Sequence, residues 1–291
     1  NYLKRYITMN KNVCLTTYIY GDVYQDYIPL LIYSIKKAYP EYHIILFVHG
    51  KLRDSIRHLL INLDLLDNVY FIENKFLDCP NINSKKSMSL RWVLWDEKFN
   101  DYDYIYIVDI DMLYIIEPVP LHVQHTEHMN YIGLPFSNIR RPKKVNSLNF
   151  KRILQRIKNA KFNKFITFLL SHNKIEYCMS GLHFIDVKNY YKKLKPERLE
   201  YFKNIIYNDE VFNNVLSPDP YSNEIFLDWI LETVGFDLSK VGIQSDSTYM
   251  LDFNNYNRLE FRPHHGIHLG IFRQSVNDIP INSRLILDSD E

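Results

Sequence analysis

Glycine is scarce in this chain, eight residues in 291. None is arranged as G-x-G-x-x-G behind a strand or as G-x-x-x-x-G-K-[ST], which excludes a glycine cradle for phosphates of either kind. Alanine occurs only at Ala38 and Ala160, while Asn, Ile and Lys abound, a bias of AT-rich coding rather than of chemistry. The three cysteines, Cys14, Cys79 and Cys178, lie far apart. That spacing excludes a zinc or redox motif and predicts reduced thiols. No apolar run approaches the roughly 18 residues of a membrane span, and Asn1-Tyr-Leu-Lys-Arg-Tyr6 lacks the build of a signal peptide. A cytoplasmic protein is expected, with Met9 as its natural start and residues 1–8 as a remnant. Charge of one sign is also lacking, 35 Lys+Arg against 34 Asp+Glu, so nothing global argues for a nucleic-acid partner.

What is present is an ordinary apolar content of 46%, rich in Tyr and Phe, enough for a sizeable core. Strand-like runs at Val13–Tyr18, His43–His49, Asn68–Glu73 and Tyr104–Asp109 alternate with helix-like segments at Tyr27–Ala38, Lys51–Leu60 and Ser87–Lys98. This alternation predicts an α/β fold with a mostly parallel sheet flanked by helices, and a ligand site beyond the carboxyl ends of its strands. Further on, Met129–Leu134 and Tyr177–Ile185 read as strands, Tyr190–Lys195 and Glu224–Thr233 as helices. No repeat or linker divides the chain. It reads as one domain over residues 9–275 with a tail at 276–291.

Asp109-Ile110-Asp111 closes the run Tyr104-Ile-Tyr-Ile-Val108. In an extended strand the two carboxylates leave the backbone on one side. Two anions so close favour a divalent cation, and oxygen ligands suit Mg²⁺ or Mn²⁺ with substrate phosphates completing the shell. A strand ending in two solvated carboxylates gives the same pattern. With no glycine cradle, a metal on the pair is the remaining neutraliser of a nucleotide diphosphate.

Ten basic and no acidic residues lie between Arg140 and Lys164, and Phe150, Ile153, Leu154, Ile157 and Ala160 recur at helical spacing. This predicts a basic amphipathic helix within an insertion at 138–172. It suits an anionic membrane surface or a phosphorylated acceptor, and equally a solvated face. Near the C-terminus, Arg262-Pro-His264-His265-Gly266-Ile-His268-Leu-Gly270-Ile-Phe-Arg273 gathers imidazoles and guanidinium groups, with His268 able to join Asp109 and Asp111 at a metal. His122, His125 and His128 form a second, weaker set in a surface helix or turn. Ser180 lacks a nucleophile elbow, and no cysteine stands in a thiolate setting.

Taken in order, Thr16–Tyr27, Arg91, Asp109-Ile-Asp111, Ser180-Gly181 and His268–Arg273 resemble the GT-A fold glycosyltransferases, most closely the retaining family eight that includes bacterial galactosyl- and glucosyltransferases and glycogenin-like enzymes. The resemblance spans roughly residues 11–275 and implies a Rossmann-like mixed sheet. It implies a nucleotide-sugar contact at Thr16, Thr17, Tyr18 and Tyr27, with Tyr18 standing where an aspartate is usual. Arg91 corresponds to the basic donor contact, with Lys85 and Lys86 as alternatives and pairing with Asp96 or Glu97 as the purely structural role. Ile110, Ser180, Gly181, Gly270 and Arg273 fall at donor-contact positions. The family's asparagine ahead of the sugar-site turn is Met179 here. Ser222-Asn223-Glu224 stands in place of an acidic-Gln-acidic run, making Asn223 the group near the anomeric carbon and Glu224 an orienting carboxylate. His268 corresponds to the metal histidine, with His265 as the second choice.

The function so implied is transfer of a sugar, with retention, from a nucleoside diphosphate sugar, UDP-linked, to a hydroxyl of a glycan or glycolipid. Mn²⁺ or Mg²⁺ would serve as cofactor. A bacterial capsule or lipooligosaccharide acceptor at the inner membrane face is the setting this suggests. Two other readings stand beside it: a metal-dependent sugar-phosphate nucleotidyltransferase, and a carbohydrate-binding module built on the many aromatic residues.

Overall fold

Seven consecutive residues, Val13–Ile19, form strand β1, and every one is buried. A strand buried on both faces needs apolar side chains in both directions, and the continuous run supplies them. In the computed structural model, which describes residues 12–117, 119–143, 176–215, 222–242 and 267–268, β1 is central. It pairs in parallel with β2 (His43–Val48) on one side and β4 (Tyr104–Ile107) on the other, and β3 (Val69–Ile72) extends the parallel set beyond β2. Beyond β4 the sheet turns mixed: β9 (His183–Asp186) runs antiparallel to β4 and β6 (Phe136–Ser137) antiparallel to β9. The order β3-β2-β1-β4-β9-β6 is the expected Rossmann-like, mostly parallel α/β sheet.

Alternation sends side chains into two cores. Val13, Leu15, Ile19, Leu46 and Tyr106 face α2 (Ile28–Ala38), α3 (Asp54–Asn62) and α5 (Leu121–Ile132), the first two preceded by a short turn of helix α1 (Asp22–Gln25) and separated by β2. Cys14, Tyr18, Phe47, Ile105 and Ile185 face the opposite core. That core is filled by residues of α4 (Ser84–Leu90), α6 (Val187–Lys193), α7 (Pro196–Tyr207), α8 (Asp209–Val215) and α9 (Ser222–Thr233). Pro29 at the start of α2 is pre-set for a helix, and Leu31, Ile32 and Ile35 carry its buried stripe. Two small ribbons complete the described residues: β5 (Met112–Leu113) with β10 (Ile267–His268), and β7 (Arg140–Lys143) with β8 (Glu176–Met179), both antiparallel.

Four sequence expectations need correction. Met129–Leu134 is not a strand: helix α5 runs through Ile132 and stops at Gly133, whose φ of 64° is left-handed. Tyr177–Ile185 is two strands, β8 and β9, divided at Ser180–Leu182. The helix expected over Ser87–Lys98 breaks into α4, a single 3₁₀ turn at Arg91–Val93 and another at Glu97–Asp101, whose Asp96 side chain accepts from the Lys98 backbone N–H. Helices α7 and α8 were not anticipated at all. The basic helix expected near Phe150–Ala160 and the tail at 276–291 lie outside the described residues. Among the described residues no helix is long and apolar enough to cross a membrane.

Candidate active site

The carboxyl end of β4 is where the site begins. Strand pairing ends at Ile107, the Val108 N–H donates to the Thr16 carbonyl at 3.0 Å, and the chain then turns through Asp109-Ile110-Asp111 before entering β5. The aspartates therefore sit in a turn past the strand, and strand alternation does not orient them. The reason is local: aspartate is a poor strand former, and pairing with β1 stops at Thr16–Ile107 although β1 itself runs on to Ile19. Both are part-exposed, while Ile110 between them is buried.

Arg91 meets Asp109 from the other side. Asn83 caps α4 with its side chain, accepting from the Lys85 and Lys86 N–H groups, and the helix delivers Arg91 to the sheet edge. The Arg91 Nη1 is ion-paired with Asp109 Oδ1, not with Asp96 or Glu97. Its guanidinium lies 4.2 Å from the Trp92 ring centroid, a cation–π contact that fixes its plane. Of the alternatives, Lys85 is half-buried. Lys86 is buried and committed elsewhere, its ammonium donating to the Pro80 carbonyl at 2.6 Å and pairing with Asp209 at 2.7 Å.

Gly181 is the hub. A Cβ placed on it would stand 3.1 Å from Asp109 Oδ2, 3.2 Å from Arg91 Nη2 and 3.4 Å from Glu224 Oε1. Three charged side chains, from the turn after β4, the 3₁₀ turn after α4 and helix α9, thus converge on one glycine backbone, and no side chain fits there without crowding. Asn223, next to Glu224 in the first turn of α9, is buried, and Ser180 is half-buried. The structure brings Asp109, Arg91, Gly181 and Glu224 together.

One residue that sequence reasoning missed holds this turn. The buried Asn138 side chain accepts from the Ser180 N–H at 3.0 Å through Oδ1 and donates to the Ser180 carbonyl at 3.3 Å through Nδ2. Nothing in the sequence marks it, because its partner lies 42 positions away.

Thr16, Thr17 and Tyr18 are all buried within β1. Tyr18 packs edge-on against Phe76, and its hydroxyl is 2.8 Å from His49 Nδ1. The groups at the open edge of β1 and β2 are instead Tyr20 and His49, in edge contact at 5.1 Å between centroids. Tyr27 is part-buried at the start of α2.

The His268 backbone lies opposite Met112, the residue after Asp111, in the β5–β10 ribbon. Pairing therefore brings the C-terminal histidine segment to the aspartate turn. Gly270, Arg273 and His265 lie outside the described residues. Among the described residues no three His, Cys, Asp or Glu side chains cluster closely enough to hold a metal ion by themselves. Two carboxylates in one turn suit a hard cation that takes its remaining ligands from phosphate oxygens. The donor set fits Mn²⁺ or Mg²⁺.

The second histidine set is structural. His125 and His128 each hold the Ser137 hydroxyl through Nδ1, at 2.9 and 2.8 Å, and His122 bonds the Tyr42 hydroxyl at 2.9 Å. His125 and His128 are buried rather than on a surface helix. Burial pushes the His128 imidazole down to about 4. The three cysteines form no disulfide and are buried, and burial raises the Cys14 and Cys79 thiols, which suits no nucleophile.

Neither a protein-family model nor a curated protein sequence matches this chain. Solved structures similar to it are glycosyltransferases. The mannosyltransferase Ktr4p from S. cerevisiae has a TM-score of 0.49 and 9% identity, over 80% of this chain and 68% of that one. The galactosyltransferase LgtC, in complex with donor and acceptor sugar analogs, has a TM-score of 0.36 and 16% identity, over 74% of this chain and 69% of that one. Core-mannan synthase A from Aspergillus fumigatus, in an Mn/GDP form, has a TM-score of 0.45 and 10% identity, over 80% and 73%. At these values the likeness assigns no activity, which rests on this chain's own residues.

Proposed function

We propose that the chain is a glycosyltransferase that moves a sugar from a nucleoside diphosphate sugar, UDP-linked in the first instance, to a hydroxyl of a glycan or glycolipid. The observation that carries this reading is the convergence of Asp109, Arg91 and Glu224 on the Gly181 backbone at the carboxyl edge of the sheet. Carboxylates for a cation, a guanidinium for phosphate and a bare backbone where a sugar ring can approach are the three requirements of a sugar–diphosphate site.

Asp109, Asp111 and His268 would hold a divalent ion, which when bound neutralises the departing diphosphate as a Lewis acid. Arg91 adds a fixed cation beside it, restrained by the Trp92 ring so that little reorganises as charge develops. Gly181 leaves room for the sugar. Glu224, whose Oε1 comes near the same Gly181 Cβ position as Asp109, would stabilise positive charge at the anomeric carbon, with Asn223 supporting it. Retention of configuration follows from the family resemblance, through front-face attack or a covalent step on Glu224. The basic segment at 140–164 is assigned to draw in an acceptor at an anionic membrane surface, as in bacterial capsule or lipooligosaccharide synthesis.

The test is a panel of UDP- and GDP-sugars with Mn²⁺, read by nucleotide release and by thermal shift. The reading expects one donor to be turned over, and expects Asp111→Asn to abolish Mn²⁺-dependent donor binding while the protein stays folded. Pyrophosphate formed from a sugar phosphate and a nucleoside triphosphate would replace it with a nucleotidyltransferase. Glycan binding indifferent to EDTA and UDP, without turnover, would replace it with a carbohydrate-binding module.

A further inference from the structure

We propose that Asn138 is a positioning residue that sets how closely the Ser180–Gly181 turn approaches the charged groups around it. The inference rests on the glycosyltransferase reading for its consequence in catalysis, and on hydrogen-bond geometry alone for its structural part.

The amide of Asn138 is fully used. Oδ1 accepts from its neighbour's Ile139 N–H at 2.7 Å and from the Ser180 N–H at 3.0 Å. Nδ2 donates to the Ser180 carbonyl at 3.3 Å and to His183 Nδ1 at 3.0 Å. Two lone pairs and two hydrogens are thereby all engaged, so the side chain has one orientation and nothing left to offer a substrate. Because Nδ2 can only donate, His183 Nδ1 must accept. Its proton then sits on Nε2, which donates to the Tyr190 hydroxyl at 3.2 Å. Burial pushes the His183 imidazole down to about 3, so it stays neutral and keeps this direction. A continuous chain runs from Tyr190 in the core through His183 and Asn138 to both backbone groups of Ser180.

The Ser180 N–H is shared with the Ile139 carbonyl at 3.0 Å, and the Ser180 hydroxyl accepts weakly from the Leu182 N–H at 3.4 Å. The preceding Met179 is wholly buried and apolar. Asn138 holds both the N–H and the carbonyl of Ser180 through one side chain. The next residue, Gly181, has only 3.1–3.4 Å between its Cβ position and three charged groups. A small displacement of the turn therefore closes or opens the space assigned to the sugar, and a misplacement of about 1 Å costs on the order of 100-fold in rate.

The experiment compares wild type with Asn138→Ala, and with Asn138→Ser in case the alanine variant does not fold. Amide hydrogen exchange is followed across residues 178–183, and donor kinetics with the sugar the wild type accepts. Expected are several-fold faster exchange confined to that stretch, and a fall in kcat/KM of roughly 10- to 100-fold that exceeds any change in Mn²⁺–UDP affinity. Exchange and kinetics both unchanged would overturn the proposal. So would exchange accelerated evenly along the chain, which marks a general loss of stability. If the wild type turns over no donor, the glycosyltransferase reading fails, and the exchange measurement still decides whether Asn138 holds the turn.

Discussion

Arg91 and Asp109, eighteen positions apart, are ion-paired beside the Gly181 backbone, the arginine nearly buried and the aspartate about a quarter exposed. An arginine so placed gives the carboxylate a cationic partner at the sheet edge before any ligand arrives. It also links α4 to the turn after β4, so the two parts of the proposed diphosphate site assemble on folding. In that proposal a metal would share one carboxylate with Arg91, whose guanidinium pairs with Oδ1 while Oδ2 lies towards Gly181.

Arg91→Ala removes that partner and leaves Asp109 part-buried without its guanidinium. A stability loss of about 1.5–3 kcal/mol is expected, the range for a hydrogen bond to a charged group. Mn²⁺ should then raise the melting temperature of the variant more than that of the wild type, because the released carboxylate gains a cation. Denaturant midpoints with and without Mn²⁺ check this. An equal Mn²⁺ response in both proteins would show that Asp109 is not a metal ligand.

Gly181→Ala puts a methyl group within 3.1–3.4 Å of three side-chain ends. A shift of a few tenths of an ångström relieves contacts of this length, so the fold should survive with only a small change in melting temperature. The donor cannot approach the same backbone, and kcat/KM should fall on the order of 100-fold. A variant with wild-type kinetics would mean the sugar does not lie over this glycine.

The parallel half of the sheet was legible because strands buried on both faces read as unbroken apolar runs, as β1 and β2 do. Helix α5 was not, because its buried face carries His125 and His128, polar residues whose burial the Ser137 hydroxyl helps to accommodate. Their burial depends on a contact nine and twelve residues away that no periodicity reveals. The aspartates, Arg91, Gly181 and Glu224 were nameable because they carry chemistry in recognisable order. Asn138 was invisible for the opposite reason: it presents no chemistry outward and acts only through the backbone of another strand's turn.

Lys86 and Arg91, at opposite ends of α4, separate a structural cation from a functional one. The Lys86 ammonium is wholly inside, answered by Asp209 and the Pro80 carbonyl. Lys86→Met fills the same space without a charge; the half-exposed Asp209 is left to water and the Pro80 carbonyl loses its donor, so a stability loss of about 1–3 kcal/mol is expected. The variant should fold with Mn²⁺–UDP affinity unchanged, whereas Arg91→Met should lose it. Loss of nucleotide binding in Lys86→Met by isothermal titration would return Lys86 to the donor site.

Two buried imidazoles make stability depend on pH below neutrality. Both titrate near 6.5 in the unfolded chain, but burial holds His128 at about 4 and His183 at about 3 in the folded one. Above pH 6.5 both are neutral in either state and contribute no slope. As pH falls below that value the unfolded chain takes up protons that the folded chain does not, so stability decreases. Each histidine contributes up to about 1.4 kcal/mol per pH unit, until its folded form also protonates near 4 or near 3. His128→Asn keeps a polar atom near the Ser137 hydroxyl and removes one titrating ring. Urea midpoints between roughly pH 6.5 and pH 5, above most carboxylate titration, should fall with acid in the wild type and fall less steeply in this variant. Identical slopes would place His128 outside the acid response and leave His183 as its source.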